Sequence, residues 1–114
     1  MAKEKVTLEC TATISPDTKT ADVSDPFVAG KRIHLKEMRA SVPGGKNIVA
    51  YLVWDYGGAS EKILWSLHGP GVVGRREVPE QIATGGEKIA LVCENAEEVS
   101  IVVSAKARIR IYDS

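Results

Sequence analysis

Near the end of the chain Val99, Ile101, Val103, Ala105, Ala107, Ile109 and Ile111 occupy every second position, and Ser100, Val102, Ser104, Lys106, Arg108, Arg110 and Tyr112 fill the places between and after them. A helix, with 3.6 residues per turn, scatters such a series around its axis, whereas a strand puts all of it on one face. The pattern predicts one long closing strand over residues 99–112. One of its faces is buried and the other is wet and basic, as in an antiparallel sheet packed on one side only.

The rest of the chain repeats this signal in shorter pieces. Val6, Leu8, Cys10, Ala12 and Ile14 alternate with Thr7, Glu9, Thr11 and Thr13, which predicts a first strand over 6–14. Residues 15–26, with Pro16, Asp17, Asp22, Ser24, Asp25 and Pro26, are rich in turn formers and predict a long exposed loop. Over 31–42 the alternation changes phase: Ile33 and Leu35 share one parity, Met38, Ala40 and Val42 the other. One extra residue near Lys36 and Glu37 restores register, so a β-bulge is expected there. Residues 43–47 read as a turn, 48–56 and 61–68 as a hairpin across Gly57, Gly58, Ala59 and Ser60, 75–78 as a short strand, and 87–94 as the strand before the last. No window of a dozen residues carries a helical stripe.

About eight strands in a single domain spanning 1–114 predict an all-β, antiparallel two-sheet sandwich of jelly-roll type. An immunoglobulin-like sandwich is the rival. It is disfavoured because Cys10 and Cys93 lack the core Trp of that fold and no Tyr stands two residues before the second Cys. Both cysteines are in phase with apolar neighbours and read as buried free thiols. A disulfide would need their strands adjacent, which spacing does not reveal.

The hairpin is unusual in being apolar on both sides. A four-residue loop would set Tyr56 opposite Glu61, Asp55 opposite Lys62, Trp54 opposite Ile63 and Leu52 opposite Trp65. One face would carry Trp54, Trp65, Leu52 and Ile63, and the other Val49, Tyr51, Val53 and Leu64. A sheet with one solvated face does not need the second set, so Val49, Tyr51, Val53 and Leu64 are candidates for an oligomer interface.

Composition narrows the functions. Fifteen basic and 15 acidic side chains give a net charge of zero, a poor match to a protein that grips phosphate backbones. No segment reaches the roughly 20 apolar residues of a membrane helix. The opening residues have no apolar signal region, so synthesis in the cytoplasm is expected. The chain contains no Gly-x-Ser-x-Gly elbow, no His-Glu-x-x-His and no phosphate loop, and Gly69-Pro-Gly-Val-Val-Gly74 lacks the Lys-Ser/Thr pair that would complete one. No enzyme and no cofactor is expected. Neither His34 with His68 nor Asp17, Asp22 and Asp25 shows metal-ligand spacing, so no metal is expected either. Trp54, Tyr56, Trp65 and His68 cluster on the hairpin as a candidate sugar platform, against the reading that both Trp rings are core. Lys106, Arg108 and Arg110, with Arg75 and Arg76, are candidate contacts to an acidic partner. The competing reading makes that row the guard of an edge strand, or sets it against glutamates such as Glu9 or Glu94.

Through Lys46-Asn-Ile-Val-Ala-Tyr-Leu-Val-Trp-Asp-Tyr56, Gly86-Glu-Lys-Ile-Ala-Leu-Val-Cys93 and the closing strand, the last two thirds of the chain resemble the small jelly-roll proteins that tailed bacteriophages add to their capsids or tails. The resemblance is one of strand pattern and carries over no functional residue. It implies a capsid decoration, cement or tail accessory protein: a homo-oligomer, with a trimer favoured, that binds coat or other virion subunits without nucleic acid or membrane and is assembled in the host cytoplasm. A carbohydrate-binding module is the alternative expectation, and a scaffold domain within a larger enzyme complex a third.

Overall fold

The computed structural model describes residues 3–41, 47–70, 72–76, 81–95 and 97–112, with side chains described for all of these except 3, 4, 47, 48, 65, 67–70 and 72–76. The described residues form nine strands: β1 (Lys3–Ile14), β2 (Lys19–Val23), β3 (Arg32–Ser41), β4 (Asn47–Trp54), β5 (Lys62–Pro70), β6 (Val72–Arg76), β7 (Gln81–Ile82), β8 (Ile89–Asn95) and β9 (Ile101–Tyr112). They build a sheet of order β1-β9-β3-β6, to which the two-residue β7 adds by pairing with β3, and a second sheet of order β2-β8-β4-β5. All of the ladders are antiparallel.

With β7 set aside, first strand pairs with last, second with second-last, third with third-last, and the two middle strands with each other. This is a long ribbon rolled on itself, closed by the β3·β9 and β4·β8 seams. The result is the jelly-roll order and not the immunoglobulin arrangement.

The alternation of β9 is realised in full: Ile101, Val103, Ala105, Ala107, Ile109 and Ile111 are buried, while Val102, Ser104, Lys106 and Arg108 are exposed. Val99 lies before the strand and is exposed, so the expected closing strand is two residues too long at its start. The inner faces of both sheets merge in one core, in which Met38, Leu52, Ile89, Leu91 and Ile109 are shut off from solvent. Such side chains each contribute on the order of 1.5–3 kcal/mol. The expected bulge is present, with a register shift between Leu35 and Glu37 that returns Met38 and Ala40 to the core.

Three expectations are corrected. Residues 15–26 are not all loop, because Lys19–Val23 forms β2 on the edge of the second sheet. An edge strand needs only backbone pairing, so five residues without apolar alternation still fold as one. Second, the hairpin register holds at Leu52 and Trp65 but shifts between Leu52 and Val53, bringing Ile63 opposite Val53 and Lys62 opposite Trp54. Asp55 leaves the ladder with φ 57°, and its side chain accepts the Ser60 N–H at 2.9 Å while its carbonyl accepts the Gly58 N–H at 2.9 Å. The Asp55–Lys62 and Tyr56–Glu61 rungs are therefore not formed. Third, the short strand near 75–78 starts earlier, at Val72. Residues 77–80 lie outside the described residues, as do 42–46, which include most of the expected turn at 43–47.

Candidate interaction faces

Register decides which side chains share the outer face of the second sheet. Val23, Ala90, Val53 and Ile63 form one cross-strand row, and Ala21, Val92, Tyr51 and Ser66 form the next. Val53, Ala90 and Val92 are buried on this outer side, although no further strand of the described residues is layered over them. Tyr51 and Tyr56 lie across them. The Tyr51 hydroxyl donates to Glu94 Oε1 at 2.6 Å. Burial, reinforced by that carboxylate, pushes its ionisation well above the usual phenol range. Around this tyrosine cover Val23 is 39% and Ile63 60% exposed.

The expected interface set is thereby revised. Val49 and Tyr51 are half-buried and Val53 is buried beneath the tyrosines. Leu64 is not on this face: the bulge turns it inward to pack on the main core, and Ile63, expected inside, takes its place outside. A one-residue shift exchanges the two faces of a strand, and no residue type in this stretch announces it.

The outer face of the first sheet is cationic. Lys106 stands between Glu9 and Arg39, Arg108 between Thr7 and Glu37, and Arg110 between Lys5 and His34. Lys106 Nζ lies 2.9 Å from Glu9 Oε1, Arg108 3.4 Å from Glu37 Oε2, and Arg39 3.8 Å from Glu37 Oε1. The third row places Arg110 directly opposite Lys5, with no carboxylate at the rungs on either side of it. Like charges facing each other are unfavourable unless water or an anion separates them. A shallow groove between Arg39 and Lys106 is lined also by Ser41 and Ser104.

The edge-strand reading of the basic row is overturned, since β9 sits between β1 and β3 in the middle of its sheet. Its carboxylate partners are Glu9 and Glu37. Glu94 belongs to the other sheet and bonds Tyr51 instead. Arg76 takes the register position opposite Glu37, and Arg75 the one opposite Met38; the side chains of both lie outside the described residues.

One ring of the candidate sugar platform belongs to the core. Trp54 is buried and stacks on Phe27 with ring centroids 5.8 Å apart and planes at 12°. Tyr56 is half-buried against Val53, Ala90 and Val92, and the side chains of Trp65 and His68 lie outside the described residues. His34 rests against the Tyr112 ring, centroids 4.8 Å apart. Among the described residues no three His, Cys, Asp or Glu side chains come together as a metal site, and no helix is long and apolar enough to cross a membrane.

Two buried polar side chains that composition did not single out organise the loops. Asn95 Nδ2 donates to the carbonyls of Ile14 and Val99 at 2.9 and 2.8 Å, while its Oδ1 accepts the Glu97 N–H at 2.7 Å. Glu87 accepts the N–H groups of Thr84 and Gly85 and the Thr84 hydroxyl, all within 3.1 Å. Asn95 ends β8 and Glu87 lies in the loop before it, places where sequence favours reading a polar residue as solvated.

No family model and no curated protein matches the sequence. Solved structures with a similar fold include a mitogen derived from Yersinia pseudotuberculosis, with TM-score 0.52 and 8% identity over 97% of this chain and 88% of that one. A Bacillus endospore appendage from a family of disulfide-linked pili gives TM-score 0.51 and 10% identity over 99% and 88%. The CBM36-1 domain of a multidomain xylanase from the hindgut metagenome of Trinervitermes trinervoides gives 0.51 and 13% over 97% and 98%. At such identities the likeness is one of fold, and it places the chain among β-sandwich modules.

Proposed function

We propose that this protein is a non-enzymatic assembly module, a decoration, cement or tail accessory protein of a virion assembled in the host cytoplasm. It associates with copies of itself through the outer face of the second sheet and meets an acidic coat subunit with the basic face of the first. The observation that carries the reading is the row Val23, Ala90, Val53 and Ile63, apolar from edge to edge on a solvent-facing sheet, with its two outer members exposed. Apolar faces rimmed by polar groups are the usual mark of protein association. The virion assignment is supported by the jelly-roll order together with the resemblance of the strand pattern to that of phage accessory proteins.

Light scattering over a hundredfold range of concentration tests it. The expected result is a closed oligomer, with a trimer favoured, that falls to monomer in a Val23→Lys, Ile63→Lys double variant. A wild-type protein that is monomeric throughout, or a variant that stays oligomeric, overturns the self-association on which the reading depends.

A further inference from the structure

We propose that Cys10 and Cys93 form an oxidative modification site, a buried dithiol that takes a small-molecule disulfide as oxidant and closes into a bond between the two sheets. The proposal is independent of the assembly reading. Cys10 projects inward from β1, the edge strand of the first sheet, and Cys93 inward from β8 in the second. Both are free thiols and both are buried. Cys10 Sγ donates to the Leu91 carbonyl on β8 at 3.3 Å, two residues before Cys93 on the same inward face, and the two thiols perturb each other's ionisation.

Two packed sheets stand about 10 Å apart on average, so a disulfide between them, whose Cα atoms lie within about 7 Å, needs a place where they approach more closely. Here the sheets converge at the β1 and β2 edges. Asp22 Oδ2 on β2 accepts the Glu9 N–H of β1 at 2.8 Å, and β1 and β8 approach within 8 Å Cα to Cα.

The hydrogen bond from Cys93 holds the Cys10 thiol below its ordinary value, against burial and the neighbouring Asp22 carboxylate, while the same bond and burial push Cys93 up. Cys10 is the first nucleophile because it sits on an edge strand at 4% exposure, whereas Cys93 is on an internal strand at 0%. When the β1–β2 edge opens, its thiolate attacks one sulfur of oxidised glutathione, forming a mixed disulfide and releasing one glutathione thiolate. Cys93 then attacks the Cys10 sulfur, the Cys10–Cys93 bond forms and the second glutathione leaves. The protein loses two electrons and two protons, and the glutathione disulfide gains them as two thiols.

The test is to incubate the reduced, folded protein with oxidised glutathione, trap remaining thiols with iodoacetamide in denaturant, and measure intact and peptide masses. The expected product is a monomer two hydrogens lighter, unalkylated, with a peptide joining Cys10 to Cys93. Its melting temperature should rise by on the order of 10 °C, reversibly on reduction, because the bond closes most of the chain into one loop. Cys10→Ser and Cys93→Ser should each abolish the shift. Recovery of two alkylated thiols, a bond that forms only in urea, a bond between two molecules, or a lowered melting temperature would each overturn the proposal.

Discussion

At Glu87 a carboxylate is removed from water and kept ionised. Burial alone would raise its pKa, but the Thr84 and Gly85 N–H groups and the Thr84 hydroxyl outweigh that and hold it down to about 2, from an ordinary 4.5. The bonds fix the turn in which Gly85 and Gly86 take φ of 120° and 91°, a region costly for other residues. With the folded pKa below the unfolded one, the stabilisation is complete above about pH 4.5 and is lost as pH falls towards 2. Glu87→Gln turns an amide nitrogen towards N–H donors. It should cost roughly 1–3 kcal/mol at pH 7. That difference should shrink near pH 3, as read from urea midpoints at the two pH values; a pH-independent gap would mean the carboxylate charge is not what holds the turn.

The second sheet shows how element geometry, rather than residue type, sorts a strand's two faces. Val53 and Ile63 are opposite one another on the same outer face, yet Val53 is 3% and Ile63 60% exposed. Val53→Asp buries a charge under Tyr51 and Tyr56 and should cost at least about 3 kcal/mol. Ile63→Lys, compared within a Val23→Lys background where the proposed interface is already weakened, should stay within about 0.5 kcal/mol. Thermal melts of the two variants separate them, and equal losses would mean that the tyrosine cover is not formed. The same contrast marks what the sequence made legible. The β9 alternation, the bulge at Leu35 and the sandwich itself follow from hydrophobic period, because each is imposed by a buried core. The Leu52–Val53 shift, β2 and the loop-binding roles of Asn95 and Glu87 are set by backbone pairing and polar geometry, to which hydrophobic period is blind. Of the candidate contacts, the basic row was visible as a row, but its central place in the sheet depended on a crossover that pattern does not encode.

For the molecule as a whole, a net charge of zero conceals a segregated surface. Lys5, Arg39, Lys106, Arg108 and Arg110 share the outer face of the first sheet with only Glu9 and Glu37 as described carboxylates, whereas Asp17, Asp55, Glu61, Glu94, Glu97 and Glu98 lie on other parts of the surface. The ion pairs on this face are exposed and worth at most about 1 kcal/mol each, so neutralising its row should leave the fold intact. Its long-range field should not survive. Wild-type protein should bind polyglutamate at about 20 mM salt and release it by about 0.5 M, as the screening length falls below 10 Å. A Lys106→Gln, Arg108→Gln, Arg110→Gln variant should fail to bind at any salt while keeping the oligomeric mass and melting temperature of the wild type. The self-association proposed through Val23 and Ile63, being apolar, should respond little to the same salt series, so one titration followed by both mass and binding separates the two faces. If neutralising the row leaves polyglutamate binding unchanged, Glu9 and Glu37 already satisfy the face, and the proposed acidic contact through it is overturned.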